Sequence, residues 1–205
     1  MNIAALTLLM ASIAFGQNTK GALMTPSALK ERAPNVFEAK FDTSAGVFVV
    51  EVHAEWAPNG ADRFYNLVKN GYYDGCRFFR VLTGSLVQFG INGDPVVQRN
   101  WTNANIPDEP VKQGNTRGFV AYGKSAAPNS RATQVFVNLK DNSYLNRQGF
   151  APFGKVISGM DIVDKIYSAY AEKSNDQDRI KSEGNAYLTK NFPKLDYIKK
   201  ATIEK

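Results

Sequence analysis

The sequence predicts a mainly β protein, an antiparallel barrel carrying two amphipathic helices. Three observations lead there. Short stretches of alternating apolar and polar residues recur, each bounded by turn residues, as half-buried strands require. Only two segments show helical spacing, one early and one late, too few to join strands by βαβ crossovers. The 13 Phe and 9 Tyr among 205 residues favour pleated, half-buried surface.

Taken in order, residues 1–17 hold no charged side chain, and their apolar run is too short to span a bilayer. Ala14 and Gly16 supply the small residues of a cleavage site. Residues 1–17 are therefore read as a signal peptide, and the mature chain is expected to be exported, periplasmic or secreted. Residues 18–35 are polar, with Pro26 and Pro34, and are expected to form a linker. Alternation begins at Val36: Phe37, Ala39 and Phe41 point one way, Glu38, Lys40 and Asp42 the other. A turn at 43–46 and a second strand over 47–52 make a β-hairpin.

Pro58 opens a helix whose apolar face is Phe64, Leu67 and Val68, and Gly71 ends it. An apolar stretch over 78–90 follows, interrupted only by Arg80 at its start and Gln88 near its end. Asn92-Gly93-Asp94-Pro95 breaks the strand, and a polar loop is expected up to Pro110. In that loop, the neighbours Asp108 and Glu109 point apart on most backbones. A cap or solvated loop suits them better than an acid/base pair.

Residues 118–123, 133–138 and 150–156 read as strands, with Gln134 and Phe136 on one side. Ser158-Gly159-Met160-Asp161 has the form of a capping box and starts a second helix that buries Ile162, Val163 and Ile166. Residues 172–184 are charged and weakly apolar, and are expected to be an exposed loop. Residues 195–203 form the last strand.

Composition removes whole classes of chemistry. Cys76 is the single cysteine and His53 the single histidine, which leaves no disulfide framework, zinc cluster or Ser-His-Asp triad. No metal and no cofactor is expected. The net charge of +6 comes without a dense basic block, so no nucleic-acid partner is indicated. Arg80 has two readings: a strand-edge residue with its head in water, or a donor at the rim of an apolar groove.

Ordered motifs decide between them. Ala61-Asp62-Arg63-Phe64 and Gly71-Tyr72-Tyr73-Asp74-Gly75 precede Phe78-Phe79-Arg80-Val81. Val87-Gln88, Thr133-Gln134-Val135-Phe136 and Phe153-Gly154-Lys155-Val156 follow, and then Gly159-Met160-Asp161. In their order and spacing the chain resembles the cyclophilin-type peptidyl-prolyl isomerases from about Val36 to Ile166. The resemblance implies a closed eight-stranded antiparallel β-barrel capped by two α-helices, filling residues 36–205, with an insertion around 171–194.

It also implies a catalytic arginine at Arg80. Substrate-binding positions fall on Leu86, Gln88, Lys124, Ser125, Gln134 and Phe136, with Phe150 at the far wall. The family's tryptophan falls on Tyr144 or Leu145, so cyclosporin sensitivity is not expected. Where the family has an aromatic wall this chain has Ser85, a loss of about 1–3 kcal/mol of burial. Leu86 or Phe89 would supply part of the missing surface. Expected partners are proline-containing polypeptides, with no membrane contact in the mature form and a monomeric state. The expected function is isomerisation of X-Pro bonds in exported proteins, assisting their folding. The alternative is a proline-peptide binding or chaperone module whose turnover Ser85 has weakened.

Overall fold

A computed structural model describes residues 21–204; the expected signal peptide at 1–17 lies outside the described residues. Strands β1 (Val36–Thr43) and β2 (Gly46–His53) form the hairpin, with Phe37, Ala39 and Phe41 buried and Lys40 exposed between them. Helix α1 (Pro58–Lys69) buries Ala61, Phe64, Leu67 and Val68 against the inside of the sheet. Its own N-cap, Ala57, has no side-chain acceptor. Glu109 caps it from a distant loop, accepting from the Asn59 and Gly60 amides while pairing with buried Arg131 at 2.9 Å.

The remaining elements are β3 (Arg80–Leu82), β4 (Leu86–Phe89), α2 (Pro95–Trp101), β5 (Phe119–Tyr122), β6 (Val135–Asn138), β7 (Pro152–Ser158), α3 (Met160–Lys165), α4 (Gln177–Asn191) and β8 (Ile198–Ile203). All eight strands pair antiparallel in one curled sheet, in the order β3-β4-β6-β5-β7-β2-β1-β8. The expected closed barrel is not completed by a ladder, because β3 and β8 remain the two edges. What joins them is the single bridge Arg77–Tyr197 and the backbone bonds beside it, Gly75 N to Ile198 O, Ile198 N to Cys76 O and Phe78 N to Asp196 O.

Three expectations need correction. The polar loop after Asn92 contains α2, capped by Asp94 accepting from the Val96 amide. The capping box at 158–161 does not form: Gly159 takes the N-cap position at φ 76°, and no side chain caps α3. Residues 172–184 are not a loop, for a 3-10 turn (Ala171–Ser174) and α4 occupy 171–191. Helix α4 has a small core of its own, in which Ile180, Tyr187 and Leu188 pack on Phe79, Ile91 and Leu195. It bends at Gly184, whose φ of 62° and approach to the Gly93 carbonyl leave no room for a Cβ. Among the described residues no helix is long and apolar enough to cross a membrane.

Upstream of β1, residues 21–35 lie against the barrel. Trp101 Nε1 donates to Leu23 O at 2.8 Å, and Arg32 and Glu31 pair with Asp62 and Lys69 of α1. His53, at the end of β2, stacks on Trp56 at 4.0 Å and hydrogen-bonds Glu51, in a structural setting. Cys76 is fully buried, and burial pushes its thiol pKa up, which leaves it protonated and inert.

Candidate active-site groove

Register across four strands builds the groove. Arg80 faces Gln88, Gln88 faces Phe136, and Phe136 faces Ala121. Directly opposed residues share a side of the sheet, so this row makes one continuous surface. The neighbouring row, Val81, Val87, Val137 and Val120, points the other way into the main core. A one-residue slip would exchange the two rows, so the valines that fill the core also fix which residues face outward.

The outer row floors a groove of about 590 Å³. All the residues singled out from the sequence line it: Arg80, Ser85, Leu86, Gln88, Lys124, Ser125, Gln134, Phe136, Tyr144, Leu145 and Phe150. Leu86, Ala121, Phe136 and Leu145 form a separate buried apolar cluster at its centre, with Leu82 and Phe150 packed against it. The Phe136 and Phe150 rings meet edge to face at 5.7 Å, and Lys124 Nζ lies 5.9 Å from the Phe150 ring centroid.

Of the two candidates for the family's tryptophan position, Leu145 is 7% exposed and belongs to the apolar cluster, whereas Tyr144 stands 57% exposed at the rim. Ser85 is half-buried beside the tight turn between β3 and β4. Phe89 does not compensate for it, because its ring packs into the main core against Phe41, Tyr73 and Phe78. Leu82, directly across from Leu86, does line the groove. The sequence reading missed it, although the alternation from Arg80 through Leu82 places both on one face.

Polar side chains flank the apolar centre. Arg80 Nη1 donates to Gln88 Oε1 at 3.3 Å, and Gln88 Nε2 donates to Gln134 Oε1 at 2.9 Å. Arg80 Nε and Nη2 clamp the Glu172 carboxylate, with Nη2 to Oε1 at 2.6 Å. The guanidinium has five N–H donors, so one on Nη1 and one on Nη2 stay without a protein partner among the described residues. The Arg80 hydrogen bonds hold the Glu172 carboxyl below its usual range, opposed by partial burial and assisted by Asn175.

Glu172, Asn175, Gln177 and Lys181 come from the segment that the sequence left as a loop, and the last three line the groove. No spacing rule links a residue of that segment to Arg80, so nothing in the sequence marked them. Among the described residues no three His, Cys, Asp or Glu side chains gather to hold a metal ion.

A curled antiparallel sheet with an arginine, two glutamines and an apolar pocket on its outer wall is the arrangement that the resemblance to cyclophilin-type isomerases implies. The family model for cyclophilin-type peptidyl-prolyl cis-trans isomerases matches residues 38–185, and the chain belongs to that family. A peptidyl-prolyl cis-trans isomerase of Acinetobacter baylyi is 37% identical over 151 residues, 71% of this chain and 77% of that protein. Peptidyl-prolyl cis-trans isomerase B of Escherichia coli is 33% identical over 135 residues, 62% of this chain and 81% of the relative. Among solved structures, a Cryptosporidium parvum cyclophilin-type isomerase superposes with a TM-score of 0.62 at 20% identity, covering 83% of this chain and 98% of that one. A second structure of that protein was determined in the presence of the dipeptide Ala-Pro; its TM-score is 0.61 at 21% identity, with 82% and 99% covered. The chain is thus a peptidyl-prolyl cis-trans isomerase, an enzyme that interconverts the two forms of the X-Pro bond.

Proposed function

We propose that Arg80 is the catalytic donor of this isomerase and that its substrates are X-Pro segments of exported proteins whose folding it assists. The placement of the guanidinium carries the first part. It stands at the wall of an apolar pocket with two N–H groups unengaged among the described residues.

Rotation about the amide C–N bond faces a barrier of about 18–20 kcal/mol because the bond is partly double. No covalent bond breaks. As the amide twists, resonance is lost and the proline nitrogen regains a lone pair that can accept a hydrogen bond. A donor that meets this lone pair only in the twisted state stabilises the transition state and not the ground states. The guanidinium suits this task because it is planar and permanently charged, with a rigid fork. Phe136, Leu86 and Leu145 form the dry floor for the proline ring, with Leu82 beside them in place of an aromatic at Ser85. In this reading Gln88 and Gln134 hold the peptide backbone while Lys124, Ser125, Tyr144 and Phe150 contact the flanking positions, which their lining of one groove supports. Nothing in this scheme needs a titrating base.

The export part rests on the uncharged apolar stretch at 1–17 with its small-residue cleavage site. We take the mature protein to be a monomer, free of the membrane. The protein should accelerate cis-to-trans relaxation of an X-Pro peptide at micromolar concentration. No acceleration would leave only peptide binding. Cell fractionation tests export, and recovery of an unprocessed chain in the cytoplasm would refute it.

A further inference from the structure

The groove's polar side chains close into a ring that the strands do not complete without the 171–191 segment. Arg80 Nη1 donates to Gln88, Gln88 Nε2 to Gln134, and Gln134 Nε2 to Gln177 Oε1 at 2.9 Å. Gln177 Nε2 donates to Asn175 Oδ1 at 3.2 Å, and Asn175 Nδ2 to Glu172 Oε2 at 2.9 Å. The Glu172 carboxylate then receives Nε and Nη2 of Arg80, where the ring began. Both arms of the ring run from Arg80 to Glu172, one directly and one through four amides. Arginine can only donate and a carboxylate can only accept, so the two charged members dictate which way each of the four intervening amides faces.

We infer that Glu172, carried by the 171–191 segment, is a positioning residue for isomerisation, holding the side edge of Arg80 so that its remaining donors stay presented to the groove. The inference rests on the reading of Arg80 as the catalytic donor. The carboxylate takes the Nε–Nη2 edge and leaves one N–H on each of Nη1 and Nη2. A carboxylate acting as a plug would occupy that outer end instead. A free arginine side chain samples several rotamers, and fixing it before substrate arrives removes an entropic cost of binding the twisted state.

The 3-10 turn that bears Glu172 is itself anchored to the strand that bears Arg80. Buried Ser174 donates from Oγ to the Phe79 carbonyl at 2.7 Å, one residue before Arg80. Behind the turn, Ile180, Tyr187 and Leu188 lock α4 onto Phe79 and Ile91, so the clamp has a rigid mount. The same segment decides the amide orientation of Gln134 through Gln177, which sets a groove donor and acceptor as well as the arginine.

The test uses the full chain with Glu172→Gln, Glu172→Asp and, as reference, Arg80→Ala. Two quantities are read: kcat and KM separately on an X-Pro peptide, and the 15N–1H signal of the Arg80 Nε–H group. Glu172 is more than half exposed, so the ion pair is screened, and Glu172→Gln should lower kcat by about two- to fivefold at low salt with KM little changed. The Nε–H signal should be slowly exchanging in the parent and lost or shifted in Glu172→Gln. Glu172→Asp, which keeps the charge on a shorter arm, should recover part of both. A purely structural role would lower thermal stability without splitting kcat from KM. An unchanged or raised kcat in Glu172→Gln, with Arg80→Ala inactive, would overturn the inference and leave the isomerase reading intact. Full activity in Arg80→Ala would overturn both.

Discussion

Replacing Arg80 by lysine keeps the positive charge and removes the fork, which makes it the sharpest test of the proposed chemistry. In the structure Nε and Nη2 grip Glu172 while Nη1 reaches Gln88, three directions from one planar group. A lysine ammonium is a single point with a shorter reach, and cannot serve Glu172, Gln88 and the substrate nitrogen together. With its head drawn to Glu172, the donor for the twisted amide is lost. A hydrogen bond from a charged donor contributes about 1.5–3 kcal/mol. At about 1.4 kcal/mol per tenfold, kcat/KM should fall roughly ten- to a hundredfold. The side chain is partly exposed and lies on the groove side of β3, away from the core, so the fold should persist. Cis-to-trans relaxation of an X-Pro peptide gives the rate, and circular dichroism confirms the fold. Full activity in Arg80→Lys would show that charge alone suffices, and the forked-donor argument would fail.

Three further outcomes follow from the same geometry. Ser85→Phe should match or exceed the parent in kcat/KM, as an added aromatic extends the apolar floor formed by Leu82, Leu86 and Leu145; a slower variant would mean that Leu82 already fills that wall. Glu109→Ala strips α1 of its cap and leaves buried Arg131 with the Pro107 carbonyl and, as its remaining carboxylate among the described residues, the more distant Asp108 at 3.7 Å, so denaturant unfolding should show a loss of about 3–5 kcal/mol. A loss below about 1 kcal/mol would show that the pair and the cap are replaceable. Cys76, with its thiol pushed up by burial, should resist thiol reagents in the native protein at pH 8 and react only on unfolding; rapid native labelling would contradict its placement.

Legibility in the sequence followed physical locality. The β1–β2 hairpin could be read because its period of two is unbroken from Val36 to Asp42. Arg80 and Gln88, and Gln134 and Phe136, could be read as groove residues because the ordered motifs around them are specific. Helix α4 could not be read. Its buried residues, Ile180, Tyr187 and Leu188, fall on both sides of the bend at Gly184, which interrupts the helical period. The expected capping box failed because Gly159, in the left-handed region, already starts α3 without a side chain. The expected cap at 108–109 is found at Glu109, but the helix it caps, like the arginine that Glu172 clamps, is distant in sequence. Only the folded chain brings them together.

The seam between the sheet's edges has a consequence for how the molecule is made. β1 has two neighbours: β2, which follows it at once, and β8, which is synthesised more than a hundred residues later. Until then one side of β1 is an unpaired row of amides and carbonyls, the kind of surface that recruits other chains. The turn carrying Glu172 also leaves the ribosome late, just ahead of β8. A nascent chain therefore stays adhesive along one edge while the residues between β1 and β8 are made. It gains the Glu172 clamp on Arg80 only shortly before β8 gives β1 its second partner.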